Sequence, residues 1–229
     1  MTTSATRRRV RRAVLVLGVL AAGLVLPAVV VALYRFVPPP MTPLMLIRGG
    51  TVAYDWVPMT RIAPILARSV LTAEDESFCQ HFGFDKAALE RALDDYLDED
   101  EEATLRGGST ISQQAAKNVF LWPQRSWLRK GLETWLTLYI EALWPKERIM
   151  EIYLNVVEWA PGVYGAEAAA QHHFKKAAAK LSAHEAAALA AVLPNPRKWS
   201  ASNPGPYVQS RTETLQVRAA KVDALASCL

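Results

Sequence analysis

Three short stretches carry the side chains that could do chemistry. The first is Glu74-Asp75-Glu76-Ser77-Phe78-Cys79-Gln80-His81-Phe82-Gly83, three acids at the end of an otherwise apolar segment. Read as a helix, it puts Glu74, Phe78 and His81 on one face. A carboxylate beside an aromatic wall suits a general base, because partial desolvation raises its basicity. A solvated acidic helix end fits the same letters. The second stretch, residues 106–118, follows two glycines with hydroxyls and amides, Ser109, Thr110, Ser112, Gln113 and Gln114, and then Lys117. Such a loop running into a helix start suits oxyanion binding through backbone N–H groups. The GxxxxGK[ST] spacing of a nucleotide loop is absent. In the third, Arg125, Arg129 and Lys130 add cations, and Glu133 lies one turn after Arg129, where the two can pair. Taken alone, that third stretch also reads as an ordinary surface ion pair.

Metal and thiol chemistry find little support. His81, His172, His173 and His184 show no ligand spacing such as HExxH and read as structural or surface residues. Cys79 and Cys228 lie 149 positions apart, so neither a disulfide framework nor a CxxC-type site is expected.

The elements that must position these residues follow from pattern. Residues 13–34 carry no charge over 22 positions. As a helix they would span roughly 33 Å, enough for a bilayer core. Arg7, Arg8, Arg9, Arg11 and Arg12 precede the run and place its start in the cytoplasm. The apolar stretch exceeds the 7–15 residues of a signal peptide, so an uncleaved anchor is expected over a cleavage near Val30 and Ala32. The net charge of +4 comes from that arginine tail, because removing its five arginines leaves 21 bases against 22 acids. A nucleic-acid-binding domain is therefore not indicated. With 51% hydrophobic residues in the chain, disorder is excluded for the whole.

Beyond Pro38-Pro39-Pro40, residues 44–47 read as one strand and nearly everything after as helix. Helices are expected over 64–80, from Ser126 as N-cap, over 146–155 after Pro145, over 165–174, from the Ser182-x-x-Glu185 capping box to Pro194, and over 208–225. In the helix after Ser126, Leu128, Leu132, Trp135, Leu136, Tyr139 and Leu143 form an expected core stripe. Gly162 and Gly165 frame a loop as backbone devices. Seven acids among residues 94–102 read as a solvated mobile loop.

Five blocks in order resemble the peptidoglycan glycosyltransferases of glycosyltransferase family 51. They are EDxxFxxHxG at 74–83, GGSTxxQQxxKN at 107–118, RKxxE at 129–133, ExYLN with the following GxxG at 151–165, and EAAxLAAxLPxP at 185–196. The resemblance covers roughly residues 41–211. Departures are Ile111 and Ser112 in the second block and Trp159-Ala160-Pro161 in the fourth. Without SxxK or KTG, and ending where it does, the chain is similar to the monofunctional members rather than to those with a transpeptidase half.

The resemblance implies a mostly α fold. It has a lysozyme-like helical lobe and a smaller membrane-proximal jaw lobe. The expected domains are a cytoplasmic tail at 1–12, an anchor at 13–37 and a glycosyltransferase domain at 38–229, periplasmic on a single-pass inner-membrane protein. The implied reaction polymerises lipid II onto a lipid-linked glycan strand in β-1,4 linkage with inversion, releasing undecaprenyl pyrophosphate. Glu74 matches the base and Glu133 the second acid. Ser109, Gln113, Gln114, Lys117, Arg125, Arg129 and Lys130 match substrate-binding positions. No cofactor is required, although a divalent cation such as Mg2+ near the pyrophosphate is compatible. Partners would be the two lipid-linked substrates, the membrane, and cell-wall synthesis or division proteins, with no nucleic acid. A lytic transglycosylase or muramidase shares the lone-glutamate look but leaves the cations around Lys117 without a role. A non-catalytic scaffold would need neither Glu74 nor the polar second block.

Overall fold

The computed structural model describes residues 4–87, 90, 108–124, 126–222 and 226–229. The acidic run at 94–102 and Arg125 lie outside them. The chain divides into two units, Met1–Val37 and Pro38–Leu229.

The first unit is helix α1, Ser4–Tyr34. Its segment Val14–Tyr34 is long and apolar enough to cross a membrane. Pro27 sits inside it, which is tolerated where the neighbouring turns re-satisfy the freed carbonyl.

The second unit is mostly helical. α2 is Pro43–Arg48, which corrects the strand expected at 44–47. Thr42 accepts from the Met45 N–H as N-cap, Pro43 takes the first turn, and Gly49 ends the helix at φ 63°. Those start and stop signals decide the element, because four apolar residues in a row have no period of their own. The strands are β1 (Ala53–Tyr54), β2 (Glu158–Ala160) and β3 (Val163–Tyr164), a sheet of order β1-β3-β2. β1 runs parallel to β3, and β2 and β3 form an antiparallel hairpin where a loop was expected. Pro161-Gly162 makes its turn, with Gly162 at φ 75°, as a proline followed by a left-handed residue favours. A Cβ on Gly162 would lie 2.4 Å from the Thr51 carbonyl oxygen, so β1 also demands glycine there.

Two helical layers carry the rest. α3 (Pro64–Glu74), α8 (Ala183–Val192) and α9 (Pro206–Ala219) pack together. α8 is apolar all round and buried from Ala186 to Val192, and its alanines let α3 and α9 approach closely. Its Ser182–Glu185 capping box forms as expected. In the second layer α4 (Ile111–Phe120) lies against α5 (Trp127–Leu143) and α6 (Lys146–Val156). α7 (Ala166–Phe174) packs on the sheet.

α5 departs from its expected packing. Of the six-residue stripe only Leu136 is buried, and Leu128 is 69% exposed. The inward face is Arg129, Glu133, Leu136, Thr137, Ile140 and Glu141. The charged residues of that face are paired: Glu133 with Arg129 and Lys130 of the same helix, and Glu141 with Lys146 of α6 and the Ser112 hydroxyl of α4.

Cys79 and Cys228, for which the sequence indicated no disulfide framework, are joined by a single disulfide. Separation in sequence does not set distance in space. The packing of α9 on α3 brings the end of the chain beside the turn that follows α3.

Candidate functional site

α3 stops at Glu74, and Asp75 caps it with φ −165°. The alignment of Glu74, Phe78 and His81 on one helical face is therefore not made. Phe78 turns into the core, with the Lys146 ammonium 4.5 Å from its ring centre. His81 Nε2 lies 2.9 Å from Asp75 Oδ1.

Glu74 is half-buried and opens on a cleft of about 310 Å³ whose lining includes Glu76, Asp85, Ser109, Thr110 and Arg218. Its Oε2 accepts a 2.8 Å hydrogen bond from the Gln114 amide on α4. Gln114 Oε1 in turn accepts from the Tyr153 hydroxyl of α6 at 3.3 Å. Burial pushes the Glu74 carboxyl above its ordinary value, Asp75 adds to that, and Gln114, Arg211 and Lys117 oppose it. Burial, with the charges of Glu74 and Asp75, raises the Tyr153 phenol well above its ordinary value. Tyr153 thus remains a donor, which leaves the Gln114 amide N–H₂ turned to Glu74.

Asp75 does a different job. Its Oδ2 accepts the Ile111 N–H at 2.9 Å, so it fastens the start of α4 to the end of α3. Thr110 caps α4 by accepting the Gln113 N–H, and Gln113 Oε1 accepts the Thr110 N–H at 3.0 Å. The Thr110 hydroxyl donates to the Gly83 carbonyl at 2.7 Å. The N–H groups of Ile111 and Gln113 are thus already spent within the protein. The oxyanion site expected at this helix start is not open through those two, and Gln113 serves the cap instead of facing the cleft.

Lys117 lies one turn beyond Gln113 and Gln114, on their side of α4. Burial lowers its pKa from the ordinary lysine value, Arg129 and Arg48 push the same way, and Glu133 and Glu74 oppose. Its charge thus feels both acids singled out in the sequence. Glu133 is buried and accepts from Arg129 Nη1 at 2.6 Å and Lys130 Nζ at 2.5 Å. Ser126 caps α5 by accepting the Arg129 N–H at 3.1 Å, setting the register of that cluster. Among the described residues no group of three His, Cys, Asp or Glu side chains is placed to hold a metal ion. Both Glu133 oxygens are occupied by cations, so these residues do not fit a divalent ion there.

The fourth block is a brace. Asn155 accepts from the Val57 N–H at 3.0 Å and donates to the Val57 carbonyl at 2.9 Å. Glu151 accepts the Met59 N–H at 2.8 Å. Together they hold the lead-in to α3, and hence Glu74, against α6. A Cβ on Gly165 would come within 2.7 Å of the Asn155 carbonyl oxygen.

The structure thus gathers Glu74, Ser109, Gln114 and Lys117, with Arg129, Lys130 and Glu133 behind Lys117. Tyr153, Arg48 and Arg211 join them without having been singled out. Tyr153 sat in a recognised block, where its role as a donor to Gln114 was open to suspicion. Arg48 and Arg211 carried no local signal.

Comparison with known proteins gives concordant findings. The family model described as Transglycosylase matches residues 44–220. A "Biosynthetic peptidoglycan transglycosylase" of Caulobacter vibrioides is 51% identical, covering 97% of each chain. A protein of the same name from Rhodospirillum centenum is 53% identical over 91% of this chain and 92% of its own. The one from Bdellovibrio bacteriovorus is 48% identical over 93% and 86%.

Proposed function

This chain belongs to the transglycosylase family, a group of peptidoglycan-building enzymes, and on that premise we propose that it polymerises lipid II into glycan strands. The observation that carries the reading is a half-buried carboxylate at the end of α3, oriented by Gln114 of α4, within the electrostatic reach of a half-buried lysine one turn beyond Gln114 on α4. Such a pair suits a displacement that needs a base on one side and charge neutralisation on the other.

In the proposed reaction the 4-hydroxyl of the acceptor sugar attacks C1 of the donor. Its proton passes to Glu74, whose burial makes it a stronger base than a solvated carboxylate. The new C1–O bond forms as the bond to pyrophosphate breaks, on the opposite face, which inverts the α-linked donor to a β-1,4 product. Lys117 and the Arg129–Lys130 pair held by Glu133 neutralise the departing undecaprenyl pyrophosphate, with Ser109 and Arg125 as further contacts. Gln114 acts on Glu74 rather than on substrate. No divalent ion enters the scheme.

The membrane assignment has two supports. Val14–Tyr34 has the length and hydropathy of a span, following a basic tail that favours the cytoplasm. The Cys79–Cys228 disulfide suits an oxidising compartment on the other side of the membrane. Both substrates carry lipid tails, and the outer face of α5 exposes Trp127, Leu128 and Leu138. Cell-wall synthesis or division proteins are the proposed macromolecular partners.

The test is polymer formation by the full-length protein in detergent with purified lipid II. Glu74→Gln keeps the size of the side chain but cannot take the proton. It should lose about 10²–10⁴-fold in rate. Near-normal turnover by a folded variant would remove Glu74 from the role. Release of soluble sugar from polymeric cell wall by the wild type, with no polymerisation, would favour a lytic enzyme.

A further inference from the structure

None of the five sequence blocks reaches α9, yet that helix packs on α3 and reaches the Glu74 turn. Arg211 Nη2 donates to the Ala73 carbonyl at 3.3 Å. That carbonyl belongs to the last turn of α3, whose acceptors have no partner inside their own helix. Arg218, two turns further along α9, pairs with Glu76 at the rim of the cleft. The disulfide then ties the chain beyond α9 to Cys79 in the same turn. Residues 73, 76 and 79 are thus held, one after another, from the α9 side.

The two arginines are not equivalent. Arg218 and Glu76 are both about half exposed, at 49% and 46% for their side chains, and water screens such a pair. Arg211 is half-buried, and its Nε is buried with no hydrogen-bond partner among the described residues. Its charge is poorly screened, and it sits one residue from the proposed base.

We propose that Arg211 is a positioning residue for Glu74: it fastens the last turn of α3 through the Ala73 carbonyl and keeps a fixed positive charge beside the Glu74 carboxylate. This rests on Glu74 being the base. Among the described residues, the groups that act on the Glu74 carboxyl are Gln114 and Lys117 from α4, Tyr153 from α6, Asp75 from its own turn and Arg211 from α9, while Glu76, Asp85 and Arg218 line the cleft on which it opens. Burial, Asp75 and the proton-rich Tyr153–Gln114 pair are fixed by the core. From α9, Arg218 is spent on Glu76 at the exposed rim, whereas the Arg211 charge acts on Glu74 and favours the ionised carboxylate against burial.

The experiment compares the full-length wild type with Arg211→Gln and Arg211→Lys, measuring lipid II polymerisation against pH. Glutamine keeps a donor for the Ala73 carbonyl and removes the charge, whereas lysine keeps both. Without the charge Glu74 holds its proton to higher pH. The acidic limb of the Arg211→Gln profile should therefore move to higher pH, with a loss of about tenfold on the acid side that shrinks as pH rises. KM for lipid II should stay near the wild-type value, and Arg211→Lys should keep the wild-type limb. An unmoved limb in folded Arg211→Gln, or a rate loss equal at every pH, would overturn the proposal. So would a limb displaced equally in both variants. Glu74→Gln run in parallel separates the two ideas. If it stays active, the base assignment fails. If it is inactive and the limb has not moved, only the role of Arg211 fails.

Discussion

Breaking the Cys79–Cys228 bond should cost the enzyme much of its stability, and the size of the loss follows from the loop it closes. The bond joins residues 149 positions apart. In the chain-entropy picture, closing a loop of that length removes about 17 cal/mol/K from the unfolded ensemble, or about 5 kcal/mol at 25 °C. Measured losses on removing native disulfides run from about 2 to 5 kcal/mol, so the chain-entropy value is the upper end. In a unit of this size 1 kcal/mol corresponds to about 2–4 °C in Tm, so a loss near 4 kcal/mol lowers Tm by roughly 10 °C. The assay is thermal unfolding of the full-length protein in detergent, oxidised against reduced, with Cys79→Ser and Cys228→Ser as single variants. Thiol titration under denaturing conditions establishes the redox state of each sample. The two variants should fall equally, because each removes the same cross-link, and reductant should have no further effect on either. A reduced wild type melting within 1–2 °C of the oxidised form would refute the loop argument. Unequal falls in the two serine variants would show that local packing at one cysteine, rather than the cross-link, carries the effect.

The ion cluster gives two further predictions. Glu133→Gln should be severe, because it leaves the buried Arg129 without its carboxylate, Lys130 being half exposed; breaking a buried pair from one side costs about 3–5 kcal/mol. Chemical denaturation reads the stability loss and lipid II turnover the functional one, and a variant near wild type in both would disprove the organising role. Lys117 has its pKa lowered by burial, so it loses its charge at lower pH than a solvated lysine. Polymerisation should decline on the alkaline side, and Lys117→Arg, which stays charged, should carry that limb to higher pH. Lys117→Ala should slow the chemical step in single-turnover assays with a preformed lipid-linked donor and an acceptor lacking pyrophosphate. A defect confined to pyrophosphate-bearing acceptors would move Lys117 to the acceptor half of the site.

What the sequence made legible was local, and the reasons differ from residue to residue. Ser126 and Ser182 could be read as caps because a cap is a matter of three or four neighbouring positions. The mostly α character and the ends of α6 followed from the same kind of signal. Residues 44–47 were misjudged because four apolar letters suit either element, and the deciding groups, Thr42-Pro43 and Gly49, lie outside the run. Glu74 stood out in the sequence as the acid now proposed to be the base, but its expected aromatic neighbour on the same face is not made, since the helix ends at Glu74 itself and the spacing rule has nothing to act on beyond it.

The larger misreading, on α5, exposes the physics that sequence patterns leave out. Periodicity finds the two faces of a helix and assigns the apolar one inward by default. Here the inward face carries Arg129, Glu133 and Glu141. Each finds a partner there: Arg129 with Glu133, and Glu141 with Lys146 at 2.7 Å and the Ser112 hydroxyl. Buried charges are tolerated only when paired and hydrogen-bonded. Two of these contacts come from elsewhere in the chain, Ser112 on α4 and Lys146 at the start of α6. Until α4 and α6 are in place, nothing in the letters of α5 marks its charged side as the one that is wanted inside. The same holds for Arg211, 138 residues from the Ala73 carbonyl it meets. A site assembled from helix ends and ion pairs is written in the packing, and its residues show in the sequence only where a motif happens to contain both partners.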